Sequence, residues 1–307
     1  MVYPGNVYPD GKVVYRNADM TSKTQTKQKR PSQDETLRIL QWNCGGLTQQ
    51  KKTELMKVTS DENIDLFIII EANKTTEEME KFKVPGFALH ILEKSRKIAS
   101  GIIVGVRNNL VSLSQVIKSM GNNNDKLEVI NICTWKSNQR FNIYALYNPP
   151  TNKPNLDILN VDRKTVIIGD FNCPTKLCGY STSTPPGEIL EEFLSTTNLE
   201  LIYKPTDTPT FLHYNGSGTN PDLLLVSSDI ADKTTREIKE DPGSGHRIII
   251  ANIKLQKNNI KEPKPRISWN FKKANWPLYT NTLESELEAT RINFLECPDN
   301  ICNKIIE

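Results

Sequence analysis

The sequence lacks long apolar runs, and it lacks the apolar leader of a secreted protein. No run approaches the roughly 18 apolar residues that a membrane-spanning helix requires. The opening MVYPGNVYPD has Pro, Gly, Asn and Asp where a signal peptide has an unbroken apolar stretch. We therefore expect an intracellular protein that is not secreted and has no membrane partner.

Cysteine and excess charge are also scarce. Six cysteines in 307 residues, with no secretion signal, predict reduced thiols in a reducing compartment. Lys and Arg number 39 against 36 Asp and Glu, and the formal charge of +3 permits a nucleic-acid partner without requiring one. Disorder throughout is excluded because β-branched apolar runs such as Leu66–Ile70 recur along the chain.

Composition divides the chain into three parts. Residues 1–36 are predicted to form a flexible basic arm, because the stretch from Arg16 to Thr36 contains only two apolar residues and a cluster of lysines. Such an arm is typically a solvated leader, although its charge also fits a nuclear address or a phosphate-contacting tail. Residues 37–255 form the predicted folded domain. Residues 256–307 begin with four basic residues and two prolines between Lys257 and Arg266, which is typical of an exposed linker.

The short apolar runs of residues 37–255 predict an α/β sandwich of two sheets. Most runs span four to eight residues rich in Val and Ile, which favours buried strands. The predicted strands are residues 37–42, 66–70, 101–106, 127–135, 140–146, 165–168, 223–226 and 248–255. Two helices are predicted, one over residues 51–61 and one after Thr184-Pro185-Pro186. Residues 122–125, Asn-Asn-Asn-Asp, predict a hairpin turn.

Polar and ionisable side chains lie at the ends of the predicted strands. Four of them follow a predicted strand and two precede one: Asn43, Glu71, Tyr147 and Asp170, then Asp222 and His246. In an antiparallel sandwich the carboxyl ends of some strands share a rim with the amino ends of others, so all six positions can converge. Each residue alone is typical of a solvated strand end. The combination, with Asn172 two residues after Asp170, indicates a single site.

Six motifs carry a resemblance to a known family, in the order in which that family has them. They are Gln41-Trp42-Asn43, the strand end at Glu71, Tyr147-Asn148-Pro149-Pro150, Gly169-Asp170-Phe171-Asn172, Thr219-Asn220-Pro221-Asp222 and Ser244-Gly245-His246. The chain resembles the endonuclease/exonuclease/phosphatase superfamily, which includes deoxyribonuclease I, apurinic/apyrimidinic endonucleases, inositol polyphosphate phosphatases and neutral sphingomyelinases. Within it, Pro-Thr-Phe at residues 209–211 and the tail at residues 266–276 resemble the endonuclease of non-LTR retrotransposons and the segment that joins it to reverse transcriptase.

The resemblance implies a fold and an activity. The fold is a four-layer α/β sandwich of two mixed, mostly antiparallel sheets flanked by helices, like that of deoxyribonuclease I. The activity is that of a metal-dependent phosphodiesterase, an endodeoxyribonuclease that nicks one strand of target DNA and leaves a 3′-hydroxyl. In the nucleus, that hydroxyl would prime reverse transcription of the element's RNA by a polymerase downstream in the same polyprotein. DNA is the direct partner and RNA an indirect one, and the oligomeric state is left open.

The resemblance also implies a metal site and a base. Glu71 and Asn43 are the implied ligands of Mg²⁺, with Mn²⁺ as the alternative, and oxygen donors suit such hard cations. Asp170 is placed to accept a proton from the attacking water, which Asn172 holds in line. Together these four residues would supply the nucleophile and the charge that phosphodiester hydrolysis needs.

The remaining implied roles concern the phosphate. His246 is expected to be charged and oriented by Asp222, because a carboxylate partner raises a histidine pKa and fixes the ring. It would then donate to the phosphate, as would the phenol of Tyr147. Thr210 and Ser244 are the implied substrate-binding hydroxyls, and Thr210 can instead serve the surrounding hydrogen-bond network.

One position departs from the family pattern. The superfamily usually has Ser-Asp-His where this chain has Ser244-Gly245-His246, and in relatives that aspartate lies near the metal. Its loss leaves two alternatives: an enzyme that works through Glu71, which we expect, or a catalytically weakened DNA-binding remnant. Apart from this position, a phosphoesterase of the same superfamily that acts on phospholipid or inositol phosphate is a further alternative. The loop from Pro149 to Asp162 and the segment from Leu212 to Thr219 are candidates for DNA contact.

The cysteines offer a rival prediction. Cys173 and Cys178 are separated by four residues, as are Cys297 and Cys302, and four thiolates can bind zinc. No histidine lies near either pair, and Cys173 directly follows the predicted site residue Asn172. Free thiols are therefore the favoured interpretation.

Overall fold

The structure is a computed structural model that describes residues 36–75, 77–78, 81–97, 99–120, 124–255 and 275–289. The chain divides into two compact units, residues 1–257 and residues 258–307. The predicted basic arm lies outside the described residues except for Thr36. So do residues 256–274 and 290–307 of the predicted linker, which include Cys297 and Cys302, and residues 122–123 of the predicted hairpin turn.

The first sheet brings the ends of three strands to one edge. Its strands are β1 (Thr36–Asn43), β2 (Leu66–Ile70), β3 (Phe87–Leu92), β4 (Ile102–Arg107), β13 (Thr234–Ile238) and β14 (Ile249–Lys254). They lie in the order β13-β14-β1-β2-β4-β3. Strand β1 runs parallel to β2 and antiparallel to β14. The carboxyl ends of β1 and β2 therefore meet the amino end of β14, which gathers Asn43, Glu71 and His246.

The second sheet also has six strands. They are β5 (Val111–Lys118), β6 (Glu128–Lys136), β7 (Gln139–Tyr147), β8 (Thr165–Asp170), β9 (Leu199–Leu201) and β12 (Asp222–Ser227). They lie in the order β5-β6-β7-β8-β12-β9, and only β7 and β8 pair in parallel. A separate hairpin consists of β10 (Phe211–Leu212) and β11 (Gly218–Thr219).

The two sheets pack face to face around a shared apolar core. Strand residues alternate between the two faces of a sheet, so Ile39 and Ile68 from the first sheet meet Ile143 and Ile168 from the second. All four side chains are fully buried. Burial of each such side chain contributes roughly 1.5–3 kcal/mol to stability.

A helix covers the outer face of each sheet. Leu55 of α1 (Gln49–Asp61) packs with Leu40 and Phe67 on the first sheet. Leu190 of α2 (Pro185–Thr196) packs with Tyr144 on the second. The layers are therefore helix, sheet, sheet and helix, and the predicted deoxyribonuclease I-like sandwich is confirmed.

Both predicted helices begin at a threonine cap. The hydroxyl of Thr48 accepts the backbone N–H of Lys51, and α1 starts two residues before the predicted position. The hydroxyl of Thr184 accepts the N–H of Gly187 at the start of α2, where the two prolines are tolerated because the first N–H groups of a helix have no intrahelical partner.

The eight predicted strands are present, and six others were not predicted. The additional strands lie at sheet edges or have only two or three residues, so their sequences contain no continuous apolar run: β3, β5, β9, β10, β11 and β13. Two further helices are α3 (Ser228–Ala231) and α4 (Trp276–Ala289). Helix α4 belongs to the second unit, within the region predicted as a linker, and its residues are exposed. Within the described ranges, no helix is long and apolar enough to cross a membrane.

Candidate active site

A row of four polar side chains crosses the second sheet at one end of its strands. In register, Glu128 of β6 pairs with Tyr147 of β7, Tyr147 with Asp170 of β8, and Asp170 with Asp222 of β12. Residues paired across neighbouring strands point to the same face of a sheet. All four residues are buried. The register thus aligns three carboxylic acids and a phenol, which are distant in sequence, along one line.

Two amide side chains of β1 reach this row from the first sheet. Gln41 and Asn43 are two residues apart on a strand and therefore share a face. Nε2 of Gln41 donates to Oδ1 of Asp222 over 3.0 Å. Nδ2 of Asn43 donates to Oδ2 of Asp170 over 2.9 Å and to Oε1 of Glu71 over 3.1 Å. The acids of both sheets are thus connected through β1.

His246 and Asp222 form a hydrogen-bonded ion pair. Nδ1 of His246 lies 2.8 Å from Oδ2 of Asp222, whose side chain is fully buried. Burial by itself would lower the pKa of His246. The charge of Asp222 and the hydrogen bond to it, with further contributions from Asp170 and Glu71, outweigh burial and raise that pKa to about 9. The imidazole is therefore charged at neutral pH, and its Nε2–H remains to donate to an anion.

Asp170 is a buried carboxyl in a crowded acidic environment. Burial raises its pKa, and the neighbouring charge of Asp222 raises it further, while His246 and the hydrogen bond from Asn43 act in the opposite direction. Its Oδ1 also accepts the backbone N–H of Asn172 over 3.2 Å. A carboxyl whose pKa is raised toward neutrality is suited to accept a proton.

Asn172 and Glu71 share an uncommon backbone conformation. Both follow a strand of the site, and both have a left-handed φ, 43° and 53° respectively. Nδ2 of Asn172 donates to the backbone oxygen of Asn148 over 2.9 Å. Left-handed backbone in residues other than glycine costs about 1–3 kcal/mol and is concentrated at functional sites.

Tyr147 lies close to Glu71. Burial raises the pKa of Tyr147, and the nearby charge of Glu71 raises it further. The phenol therefore stays protonated and is a donor at every physiological pH. Glu71 is half-buried, and its carboxylate is flanked by the phenol of Tyr147 and the amide of Asn43.

The donor set of the site fits a hard divalent cation. Asp170, Asp222 and His246 have potential ligand atoms within 4.8 Å of one another. Those atoms are already engaged in the hydrogen bonds described above, so this trio is better suited to proton transfer than to ligation. The half-buried carboxylate of Glu71 retains lone pairs, and oxygen donors are what Mg²⁺ prefers. The amide nitrogen of Asn43 faces Glu71, while its Oδ1 accepts the N–H of Gly45, so metal ligation by Asn43 stays a prediction.

The two predicted substrate-binding hydroxyls lie inside the network. Oγ1 of Thr210 is fully buried and accepts the N–H of Asp222 over 3.3 Å, so Thr210 supports the acid and does not face the rim. Oγ of Ser244 donates to the backbone oxygen of Asn43 over 2.8 Å and accepts the indole N–H of Trp42 over 2.9 Å. Ser244 thereby ties the segment before β14 to the end of β1, and substrate contact by it stays a prediction.

The glycine in place of the usual aspartate adopts a conformation that excludes an ordinary side chain. Gly245 has φ +86°, and the ring of Phe211 lies where its Cβ would be. The carboxylate of Asp241 accepts the backbone N–H groups of Gly243, Ser244 and Gly245 over 2.8, 2.8 and 2.9 Å. The turn before His246 is therefore stabilised by Asp241 and Phe211.

Four residues at the site were not given roles from the sequence. Gln41 contacts Asp222, and Arg96 contacts Tyr147. Glu128 contacts the loop before β4, and Asn148 contacts Asn172. Gln41 and Asn148 belong to the motifs quoted above, and the two-residue spacing of Gln41 from Asn43 was a usable signal. Arg96 and Glu128 carry no motif.

Comparisons with known proteins agree with this geometry. Residues 141–250 match the family described as "Endonuclease-reverse transcriptase". A comparison with curated proteins finds no match. The endonuclease domain of TRAS1, a telomere-specific non-LTR retrotransposon, is 19% identical, with a TM-score of 0.57, and the match covers 72% of this chain and 100% of that domain.

Two further solved structures share the fold. The AP endonuclease LMAP from Leishmania major is 15% identical, with a TM-score of 0.59, and the match covers 78% of this chain and 93% of that one. The 3′ phosphatase NExo from Neisseria, solved with a product DNA hairpin, is 15% identical, with a TM-score of 0.51, and covers 71% of this chain and 100% of its own.

Fold and site together define the class of protein. The chain has the nuclease/phosphoesterase fold of the endonuclease/exonuclease/phosphatase superfamily. Within that class, the matching family and the likeness to TRAS1 confirm the resemblance to the endonuclease domain of a non-LTR retrotransposon.

Proposed function

We propose that this chain is a Mg²⁺-dependent endonuclease that nicks one strand of DNA. The observation that carries the proposal is the bonded network at the shared rim, in which Asn43 joins Glu71 to Asp170 and Asp222 orients His246. Such a network supplies a base, a cationic donor and a metal-binding carboxylate, which are the components of phosphodiester hydrolysis.

Each residue has a defined part in this reaction. Asp170 accepts a proton from water as the water oxygen attacks phosphorus, and Asn172 holds that water. Charged His246 and the phenol of Tyr147 donate to the phosphate oxygens as negative charge develops there. The bond from phosphorus to the 3′ oxygen breaks, which leaves a 3′-hydroxyl on one side of the nick and a 5′-phosphate on the other.

Glu71 would hold the cation, with Asn43 beside it. When bound, Mg²⁺ supplies Lewis-acid polarisation of the phosphate and of the leaving oxygen. The hydrogen bond from Asn43 keeps the Glu71 carboxylate at the strand end in one orientation.

Surfaces beside the rim fit a DNA backbone. A cavity of about 310 Å³ at the start of α1 is lined by Lys52, Lys74 and Lys81 and by Glu78, which pairs with Lys74, so its net positive charge suits phosphate groups. On another side, Phe211 of the β10–β11 hairpin packs against the ring of His246, and the same hairpin carries the fully exposed Tyr214. These two features support DNA over a lipid substrate.

The biological setting follows from the family. A 3′-hydroxyl at a nick is a primer, and the matching family pairs such an endonuclease with a reverse transcriptase. We infer that the nick primes reverse transcription of the RNA of a non-LTR retrotransposon. The polymerase would be part of the same polyprotein, and the reaction would take place in the nucleus.

Plasmid nicking tests the proposal. Supercoiled plasmid is incubated with the chain and Mg²⁺, with Mn²⁺, or with a chelator. We expect open-circular product with either metal and none with the chelator. The nicked product should be extended by a DNA polymerase without prior phosphatase treatment, because the nick carries a 3′-hydroxyl. Glu71→Gln and His246→Gln should each slow nicking by about 100-fold or more.

A matched control separates the site from general charge effects. Glu200 is exposed on edge strand β9, away from the rim, so Glu200→Gln should nick at the wild-type rate. If wild type, Glu71→Gln and His246→Gln all give the same background, the catalytic proposal is wrong. DNA binding without cleavage would identify a binding remnant, and phosphate release from phosphoinositide or sphingomyelin vesicles would identify a lipid phosphoesterase.

A further inference from the structure

The loop between β3 and β4 carries an arginine onto the phenol of the site. Nη2 of Arg96 donates to Oη of Tyr147 over 3.2 Å. Nε and Nη2 of Arg96 also donate to the backbone oxygen of Ala99 over 2.9 and 2.7 Å, which fixes the guanidinium within its own loop. The charge of Glu71 raises the pKa of Tyr147, so the carboxylate that we assign to the metal lies close to the same phenol.

A buried carboxylate anchors this loop. Glu128 is fully buried, and its two oxygens accept Oγ–H of Ser100 over 2.5 Å and the N–H of Gly101 over 2.9 Å. Ser100 Oγ in turn accepts the N–H of Ser95. Burial raises the pKa of Glu128, while these two hydrogen bonds and the charge of Arg96 oppose that shift. Burial of a carboxyl group costs free energy unless hydrogen bonds offset it, so this buried position of Glu128 indicates a specific role.

The same loop is tied to the segment after Glu71. The backbone N–H groups of Ala72 and Asn73 donate to the oxygens of Gly101 and Ser100, each over 3.0 Å. Glu128 also sits directly opposite Tyr147 in the β6–β7 register. One buried acid therefore connects the Arg96 loop, the phenol and the strand end that bears Glu71.

We propose that Arg96 binds the scissile phosphate together with Tyr147, and that Glu128 is the positioning residue that holds Arg96 there. This inference rests on the proposed nuclease function. Arg96 is exposed, and among the described residues no hydrogen bond occupies its Nη1. Nη1 offers two N–H donors to a phosphate oxygen, and the guanidinium stays charged at every relevant pH. Its charge would also neutralise the non-bridging oxygens as the transition state forms.

Substitution of Arg96 tests the first half of the proposal. Lys97 is the matched control, because it is the adjacent residue, is equally exposed and carries the same charge. In steady-state nicking, Arg96→Ala should lower kcat about 10- to 100-fold, Arg96→Lys should recover part of the loss, and Lys97→Ala should leave kcat within about twofold of wild type. Equal kcat values for Arg96→Ala and Lys97→Ala would overturn the phosphate-binding role.

A double mutant tests the role of Glu128. Glu128→Gln keeps the size of the side chain but places an NH₂ group against one of the two donors that the carboxylate accepts. It should lower kcat in the same direction as Arg96→Ala. If Glu128 acts through Arg96, Arg96→Ala/Glu128→Gln should be no slower than Arg96→Ala alone. If the two losses of kcat multiply in the double variant and the melting temperature falls, Glu128 has only a structural role.

A binding measurement without metal keeps the two proposals separate. A fluorescent duplex is titrated in chelator, and its anisotropy is followed at several salt concentrations. Arg96→Ala should weaken binding several-fold more than Lys97→Ala and reduce the salt slope by about 0.9, the value for one lost phosphate contact. If wild type fails to nick, the nuclease proposal fails, and this titration alone decides Arg96: a larger loss for Arg96→Ala supports phosphate binding, and equal losses overturn it.

Discussion

A Cβ atom on Gly245 would lie 2.9 Å from Cε2 of Phe211, which is closer than carbon atoms normally approach. The same glycine has φ +86°, a conformation that residues with a side chain rarely adopt. Phe211 is itself held, with its ring centroid 4.6 Å from that of His246. The turn before His246 is therefore built around the absence of a side chain at position 245.

Restoration of the family's aspartate at position 245 should consequently fail. We expect Gly245→Asp to lower both the melting temperature and the nicking rate, because the new side chain strains the backbone and displaces Phe211. Gly245→Ala isolates the steric part, and its matched control is Gly216→Ala, where φ is +83° and nothing lies within 4 Å of the added carbon. Gly216→Ala should lower the free energy of unfolding by about 1–2 kcal/mol. Gly245→Ala should lower it by about 1–3 kcal/mol more. Urea denaturation measures both, and a gain in nicking by Gly245→Asp would contradict this prediction.

The sequence predicted the two-sheet fold well because its central strands are nearly continuous apolar runs. Strands such as β2 and β8 are buried on both faces, and that pattern is visible without a structure. Edge strand β5 was missed, since its apolar Val111 and Leu113 are 67% and 64% exposed and alternate with polar residues. Helix α4 begins ten residues after the basic, proline-containing stretch from Lys257 to Arg266 that indicated a linker.

The site was predictable to the extent that it depends on strand ends. The expectation that antiparallel strands share a rim brought Glu71, Asp170 and His246 together before any register was known, and the structure connects them through Asn43 and Asp222. The contact of Arg96 with Tyr147 was not predictable, because it depends on the conformation of a loop. Sequence alone does not specify how such a loop folds back.

The ion pair of His246 with Asp222 predicts an alkaline limit to activity. With its pKa raised to about 9, His246 stays charged through neutral pH, and nicking should decline as pH rises through about 9. Asp222→Asn removes the charge that raises this pKa. Burial then opposes only the weaker contributions of Asp170 and Glu71, so the pKa of His246 should fall and the decline should begin at a lower pH. The pH dependence of kcat measures the shift, and Glu200→Gln is the control. If kcat declines at the same alkaline pH in Asp222→Asn and in wild type, the pairing with Asp222 does not set the alkaline limit through His246.

The same pair makes a signed contribution to stability. The folded-state pKa of His246 lies above its unfolded value, so its stabilisation is fully present below about pH 6.5 and is lost as pH rises through about 9. Wild type should therefore lose more stability than His246→Gln between pH 6.5 and pH 10. Urea midpoints at several pH values measure this difference. Parallel curves for the two proteins would show that the pair does not stabilise the fold.

A second ion pair, far from the rim, should matter for stability alone. Nζ of Lys136 lies 2.7 Å from Oδ2 of Asp65, with side chains only 9% and 8% exposed. Lys136→Met leaves the Asp65 carboxylate buried without its cation. The substitution should lower the free energy of unfolding by about 3–5 kcal/mol. The exposed pair of Lys74 and Glu78 is the control, and Lys74→Met should cost at most about 1 kcal/mol. Urea denaturation compares the two, and similar costs would contradict the prediction.

The β10–β11 hairpin should influence where DNA is cut. Its Tyr214 is fully exposed, and its first residue, Phe211, packs on His246, so the tip projects from the edge of the site. An exposed aromatic ring can stack on a base or sugar, and such a contact is worth about 1–3 kcal/mol. Tyr214→Ala should therefore raise KM about 5- to 150-fold, with little change in kcat, and should redistribute the nicks along a sequenced plasmid. Leu113→Ala removes another exposed apolar side chain, on edge strand β5, and should change neither. An identical distribution of nicks in Tyr214→Ala and wild type would remove the hairpin from target selection.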